Sequence, residues 1–155
     1  QAFFKRIGFL PHWQAMQAIN RLPGDDVKVL FVGEAQTFYC RRDCIAPVVF
    51  NPHPLSEVLQ LAWEHPGLAR RRLRDRGYTH LLIHYSELHR LRETYTFEFR
   101  GERIPGYLPA LDPRTLEPLR SILRAARLVD QQLATGPRGQ QYPLIELYEL
   151  PAEAP

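Results

Sequence analysis

The run Val27–Val32, which ends at Gly33, restricts the possible folds of this chain more than any other segment. Its β-branched and aliphatic residues hardly alternate with polar ones, so both faces of the strand are expected to be covered. Strands of this kind are typical of parallel sheets that carry helices on their faces. The run therefore predicts a buried strand at the centre of an α/β sheet.

Helical and extended segments alternate along the rest of the chain. Apolar residues at helical spacing predict helices, and short β-branched runs bounded by Gly, Pro or Asn predict strands. Helices are expected at 11–22, 55–62, 66–76, 85–91 and 115–123, and further strands at 46–50, 79–84, 127–130 and 142–148. The last two strands flank a Gly- and Pro-rich turn, which indicates a hairpin. The expected fold class is α/β: a three-layer sandwich with a mainly parallel sheet of about five strands and an antiparallel C-terminal edge hairpin.

The length of 155 residues suits a single domain, which we place at 11–150. Residues 1–10 set apolar side chains around two adjacent cations, which is typical of a membrane-proximal linker or of a segment packed on the domain. The stretch 95–113 is interrupted by Gly and Pro and predicts a loop-rich insertion. Residues 151–155 have little to bury and predict a flexible tail.

Charge argues against a nucleic-acid-binding domain, and hydropathy argues against a segment that spans a bilayer. The net charge is +3 and the pI is about 9.1, a weaker bias than nucleic-acid-binding domains show, so no nucleic-acid partner is expected. No run approaches the ~20 apolar residues that span a bilayer. The chain starts at Gln1 and its only methionine is Met16, which indicates a fragment or a processed product.

Five arginines crowd the predicted helix 66–76, and Arg70, Arg71 and Arg72 are consecutive. Guanidinium groups bind phosphate well, so these three are candidates for contact with an anionic lipid or a lipid-linked phosphate. A charge run of this kind is also typical of a solvated helix face. The sequence leaves both interpretations open.

The turn after the first strand lies where α/β sheets bind ligands. A dinucleotide site needs a glycine-rich turn, whereas Gly33 is followed here by Glu34, whose carboxylate would repel a phosphate, so no cofactor is expected. Glu34, Gln36 and Tyr39 are candidates for a polar ligand site. The alternative is structural, with Glu34 capping the turn and Tyr39 filling the sheet edge.

Cys40 and Cys44 are the only cysteines, and two thiols cannot complete the four-ligand shell of a structural zinc site. Histidines at strand ends, such as His80 and His84, are usually packing groups, so no metal is expected. The close pair predicts a disulfide in an exported domain, while neighbouring arginines would also suit a reactive thiol. No catalytic motif is complete, and no catalytic residue is assigned.

Four motifs follow one another over residues 10–85: Trp13 with Ile19-Asn20-x-Leu22-Pro23, then Val29-Leu30-Phe31-Val32-Gly33-Glu34, then Phe38-Tyr39, then Gly77-Tyr78-Thr79-His80-Leu81-Leu82. Together they resemble the soluble C-terminal domain of bacterial GT-C membrane glycosyltransferases, which are similar to dolichyl-phosphate-mannose protein mannosyltransferases and depend on a lipid carrier. Many relatives have an arginine in the loop after Gly-Glu, where this chain has Gln36 and Thr37. A ligand role shared with the family is therefore not implied for this loop.

The resemblance implies an accessory domain on the periplasmic or extracytoplasmic face of the inner membrane, as part of a multi-pass membrane protein. The parent would transfer sugar from a polyprenyl-phosphate donor, using acidic residues that lie outside this chain. The implied partners are the transmembrane portion of the same polypeptide, the membrane surface, and a lipid-linked sugar or acceptor. The alternative from the residues alone is a free-standing small α/β ligand-binding protein or enzyme that uses the loop of Glu34 and Tyr39.

Overall fold

The computed structural model describes residues 10–152. Its helices are α1 (Leu10–Asn20), α2 (Leu55–Ala62), α3 (Pro66–Asp75), α4 (Tyr85–Thr94) and α5 (Leu119–Leu123). Its strands are β1 (Lys28–Val32), β2 (Asp43–Ile45), β3 (His80–His84), β4 (Thr96–Phe99), β5 (Glu102–Pro105), β6 (Arg127–Thr135) and β7 (Gln141–Glu149). None of these helices is long and apolar enough to cross a bilayer. The predicted segment 1–10 lies, apart from its last residue, outside the described residues, as does most of the predicted tail.

Five strands form one mixed sheet in the order β2-β1-β3-β7-β6. β1 is parallel to β2 and β3, whereas β7 is antiparallel to β3 and β6. The α/β class, the five strands and the C-terminal hairpin are confirmed, but the expectation of a mainly parallel sheet is wrong. The hairpin places its second strand, β7, against β3, and this makes half of the pairings antiparallel.

β1 is an interior strand with β2 on one side and β3 on the other, so the middle position of the sheet belongs to β3. Residues 29–32 of β1 have no exposed surface. Since side chains alternate along a strand, Leu30 and Val32 face one side of the sheet and Val29 and Phe31 face the other. The burial predicted for this run is therefore correct, while its central position is wrong.

Each face of the sheet carries a hydrophobic core. Leu30 and Val32 belong to a core that includes apolar residues of α2, α3, α4 and α5. Val29 and Phe31 belong to a second core, to which α1 contributes Ala15, Met16 and Ile19. The strands β1 and β3 therefore bury both of their faces, which explains why their sequences do not alternate with polar residues.

The second strand differs from its prediction. It is Asp43–Ile45, in register with the start of β1, and the predicted run 46–50 leaves the sheet. Pro47 has no amide hydrogen to donate to a β ladder, which accounts for the end of the strand before it.

The stretch 95–113 is more ordered than a loop-rich insertion. It begins with the hairpin of β4 and β5, which forms a separate two-stranded sheet. Tyr107, Leu108 and Leu111 then enter the first core. The buried Arg92 of α4 donates hydrogen bonds to the carbonyl groups of Leu108 and Leu111, and these bonds attach the insertion to the domain.

Replacing Leu30 with Ala should lower the free energy of unfolding by about 2–5 kcal/mol, because the side chain is fully buried and its loss leaves a cavity. Urea denaturation followed by circular dichroism measures this change. Leu68→Ala is the matched control, since Leu68 is 40% exposed and should cost less than about 1 kcal/mol. Similar losses in both variants would contradict the interior position of β1.

Candidate functional site

A polar cluster occupies the carboxyl end of β1 and β3. Gly33 follows β1 with φ of 82°, and a Cβ atom there would lie 2.6 Å from the carbonyl oxygen of His84 and 2.7 Å from the amide nitrogen of Leu88. Only glycine allows this close approach of β1 to α4. The turn directs the next residue, Glu34, beneath His84 at the end of β3 and beside His12 of α1.

The carboxylate of Glu34 is the centre of this cluster. Its Oε2 lies 3.1 Å from Nδ1 of His84 and 3.1 Å from Nδ1 of His12. Its Oε1 accepts hydrogen bonds from the amides of Ala35 and Gln36, both at 2.8 Å. Because an ionised carboxylate only accepts hydrogen bonds, the imidazole of His84 carries a proton on Nδ1. Both carboxylate oxygens are therefore occupied by contacts within the domain.

The environment keeps Glu34 ionised. Burial alone would raise its pKa, but the hydrogen bonds from His12, His84 and the Gln36 amide outweigh burial and lower the pKa well below the ordinary value. A carboxyl group with so low a pKa does not deliver protons near neutral pH. The cluster is thus suited to holding α1, β1 and β3 together and not to general acid catalysis.

A second set of hydrogen bonds fixes the layer below this cluster. The amide of Gly33 donates to the hydroxyl of Tyr107 at 2.9 Å. His53 accepts at Nδ1 from the amide of Leu55, so its Nε2 carries the proton and donates to the carbonyl of Phe31 at 3.1 Å. Burial lowers the pKa of His53 to about 4, although the carbonyl of Phe31 acts in the opposite direction. His53 is therefore a neutral packing group at neutral pH.

Of the three residues predicted to bind a ligand at this edge, the fold keeps Glu34 and Gln36 together and separates Tyr39 from them. Glu34 and Gln36 line a cleft of about 260 Å³ that also contains Phe50 and Tyr95. Tyr39 does not line this cleft: its ring packs edge to face on Trp13 of α1, with 5.1 Å between the ring centroids. The loop therefore does not bring Glu34 and Tyr39 to one site.

Cys40 and Cys44 are joined in a disulfide, with 6.5 Å between their Cα atoms. Both cysteines pack against the core that contains α1. Asn20 holds the loop to α1, since its side chain donates to the carbonyl of Tyr39 at 2.9 Å and accepts from the amide of Arg41 at 2.7 Å. Among the described residues, no group of three or more His, Cys, Asp and Glu side chains is arranged to hold a metal ion.

The arginine run does not form one surface. Arg70 and Arg71 line a cleft beside Ala152, whereas Arg72 lies in another cleft with Glu57. Arg70 also donates to the carbonyl of Ser121. Arg72 is in the last turn of α3, where a positive charge stabilises the helix dipole. The predicted contact of these arginines with phosphate stays a prediction.

Two features of the site were not found from the sequence. His12 meets Glu34 across 22 positions of the chain, and no local pattern marks that contact. Glu146 is buried on β7 between the hydroxyls of Tyr85 and Tyr148. Here a signal exists, because Glu146 stands in an apolar strand two residues before Tyr148 and so shares its face.

Comparison with known proteins found no matching family model, no matching curated protein and no matching solved structure. A function for this chain is therefore inferred from the geometry of the described residues.

Replacing Glu34 with Gln should lower the free energy of unfolding at pH 7 by about 3 kcal/mol, because two buried imidazoles lose their charged acceptor. The folded pKa of Glu34 is below its unfolded value of about 4.5, so its stabilisation is present above that pH and is lost as the pH falls. Denaturation at neutral and acidic pH should therefore show the difference between wild type and variant shrinking in acid.

The control for this prediction is Glu57→Gln, because Glu57 is exposed and, within residues 10–152, pairs with Arg76 on the surface. Its effect should stay below about 1 kcal/mol at both pH values. An equally small effect of Glu34→Gln would show that the cluster does not hold the domain together.

Proposed function

We propose that this chain is an extracytoplasmic accessory domain of a polytopic membrane glycosyltransferase that uses a polyprenyl-phosphate-linked sugar donor. In this proposal the domain is not catalytic by itself. It rests on the membrane surface beside the transmembrane portion of the same polypeptide and contributes to recognition of the lipid-linked sugar or the acceptor.

The observation that carries the proposal is an exposed aromatic surface on the insertion and the neighbouring loop. We define this aromatic surface as the four side chains Phe50, Tyr95, Phe97 and Phe99, which are 85%, 36%, 55% and 56% exposed. Phe50 and Tyr95 are in edge-to-face contact at 5.8 Å, and Phe97 and Phe99 share one face of the β4–β5 hairpin by alternation. A patch of large aromatic residues on a domain surface marks a contact with a protein or a membrane.

The cation Arg100 favours a lipid interface as the occupant of this surface, although Glu98 and Glu102 balance the charges of Arg100 and Arg103 within the hairpin. Arg100 lies over the ring of Phe99, 5.3 Å from its centroid. Aromatic side chains beside cations are the combination that binds the boundary between head groups and acyl chains of an anionic bilayer. The net charge of +3 acts in the same direction.

Two further features agree with the proposal. The disulfide between Cys40 and Cys44 is of the kind that persists in oxidising compartments. The carboxylate of Glu34 is fully engaged within the domain, which argues against the alternative of an enzyme or binding protein that uses Glu34 and Tyr39.

We also infer that the architecture is a three-layer sandwich. This inference is supported by the two cores, since the apolar residues of α1 lie in one core and those of the other helices in the second, with the five-stranded sheet between them.

The domain should bind vesicles that contain phosphatidylglycerol, and Phe97→Ser with Phe99→Ser should reduce the bound fraction at least about fivefold. The reason is that the two substitutions remove exposed apolar area from the aromatic surface, which would enter the membrane interface. Vesicle co-sedimentation, with phosphatidylcholine vesicles for comparison, measures the bound fraction.

The matched control is the pair Leu68→Ser and Leu133→Ser, which removes exposed apolar side chains outside the aromatic surface and should leave binding unchanged. A third variant neutralises Arg70, Arg71 and Arg72 with Gln. If binding is lost with the arginines and kept without Phe97 and Phe99, the membrane contact lies on α3 and the aromatic surface is not its site.

The isolated domain should transfer no sugar from a polyprenyl-phosphate sugar to an acceptor, because such transfer needs catalytic acids positioned at the membrane boundary. A radiolabelled transfer assay with the purified domain measures this, and the full-length parent serves as the positive control. Transfer by the domain alone would overturn the accessory role.

A further inference from the structure

A second and larger cleft, of about 460 Å³, lies between the start of α4, the segment before α5 and the β6–β7 hairpin. Its lining includes Tyr85, Arg114, Arg120, Tyr142 and Glu146. It shares no lining residue with the aromatic surface or with the cleft at Glu34.

Glu146 forms the floor of this cleft and is only 7% exposed. Its Oε2 accepts hydrogen bonds from the hydroxyls of Tyr85 at 2.5 Å and Tyr148 at 2.7 Å, and its Oε1 accepts from the side-chain amide of Gln131 at 2.6 Å. Each tyrosine hydroxyl donates its hydrogen to Glu146, and the two hydroxyls also lie close to each other, so a ligand group that meets them has to act as the donor. The floor therefore presents fixed acceptors for hydroxyl groups.

The wall of the cleft carries two cations. Arg114 and Arg120 are exposed, and neither guanidinium forms an ion pair or a hydrogen bond with another residue in the range 10–152. Burial and Glu146 raise the pKa of Tyr148, and the positive charge of Arg120 acts in the opposite direction. The carboxylate of Asp112 acts on Arg114 through its charge, but it makes no salt bridge with it, and two such guanidinium groups suit a phosphate, which they bind through paired hydrogen bonds.

The backbone at the wall is held in an unfavourable conformation. Leu116, which also lines the cleft, is 4% exposed and has φ of 56°. Non-glycine residues adopt this conformation at a cost, and such residues concentrate at binding sites. Burial of the Leu116 side chain thus holds the segment that carries Arg114 in a backbone conformation that leucine does not favour by itself.

We infer that this cleft binds the phosphate and hydroxyl groups of a sugar phosphate, either free or as the head group of a lipid. Arg114 and Arg120 bind the phosphate, the hydroxyls of Tyr85 and Tyr148 accept from the sugar hydroxyls, and Tyr142 and Leu144 cover the apolar side of the ring. The inference rests on the contents of this cleft and does not require the membrane contact of the aromatic surface.

Isothermal titration calorimetry tests the inference with three soluble probes: hexose 1-phosphate, the same hexose, and inorganic phosphate. A fourth arm uses vesicles that carry a polyprenyl-phosphate hexose. Hexose 1-phosphate or the lipid-linked sugar should bind, and Arg114→Gln with Arg120→Gln should raise the Kd at least about tenfold, the usual effect of losing charge-assisted hydrogen bonds. Binding of the soluble probe identifies a free ligand, and binding of the lipid alone identifies a head group.

The matched control is Arg21→Gln with Arg138→Gln, which removes the same charge from exposed positions outside the cleft and should leave the Kd unchanged. Ser86→Ala, which removes one hydroxyl from the lining without disturbing a core, gives a milder second variant, with the Kd rising about threefold. The inference is overturned if neither sugar phosphate binds, if inorganic phosphate binds as tightly as hexose 1-phosphate, or if the two double variants weaken binding equally. Because soluble probes need no membrane, failure here leaves the vesicle result unaffected.

Discussion

The contact of one carboxylate with two histidines determines how α1, β1 and β3 are held together. Glu34 meets His12 of α1 and His84 of β3 while its own backbone continues β1, so a single buried charge connects three elements. The energy of such a contact depends on low dielectric and on hydrogen bonding, and both are present because the group is 9% exposed, accepts from two amides and His84, and lies 3.1 Å from the imidazole of His12. A charge satisfied in this way is a structural element at the position where an α/β sheet more often binds its ligand.

Because the oxygens of Glu34 are engaged within the domain, the turn after β1 has few polar groups left to bind a ligand. The groups with remaining capacity to bind lie on the side of α4, where the acceptor hydroxyls of Tyr85 and Tyr148 face the cations Arg114 and Arg120. The exposed aromatic residues lie on the inserted β4–β5 hairpin, which adds a surface to the domain without extending its main sheet. The buried polar contacts and the surfaces that we propose for recognition thus lie in different parts of the fold.

Structure was predictable from the sequence where residues act through near neighbours. The run at β1, the alternating strands of the C-terminal hairpin and the close pair Cys40 and Cys44 each carry their information within a few positions. Structure was not predictable where it depends on which of two segments pairs with a given strand. The segment that pairs with β1 is Asp43–Ile45 and not the predicted strand 46–50. The strand beside β3 is the antiparallel β7, where a parallel strand was expected.

The sequence by itself determined the α/β class, because the periodicity of apolar residues selects helix or strand and reports whether one face or both are covered. It also singled out Glu34, directly after a buried strand, as either part of a polar ligand site or a cap of the turn. Only the tertiary structure decided which partners Glu34 has and that Tyr39 turns away to Trp13. The physical reason is that hydrogen bonds and ion pairs act over about 3 Å in space, while His12, Glu34 and His84 are far apart along the chain and are brought together only when the strand order is set.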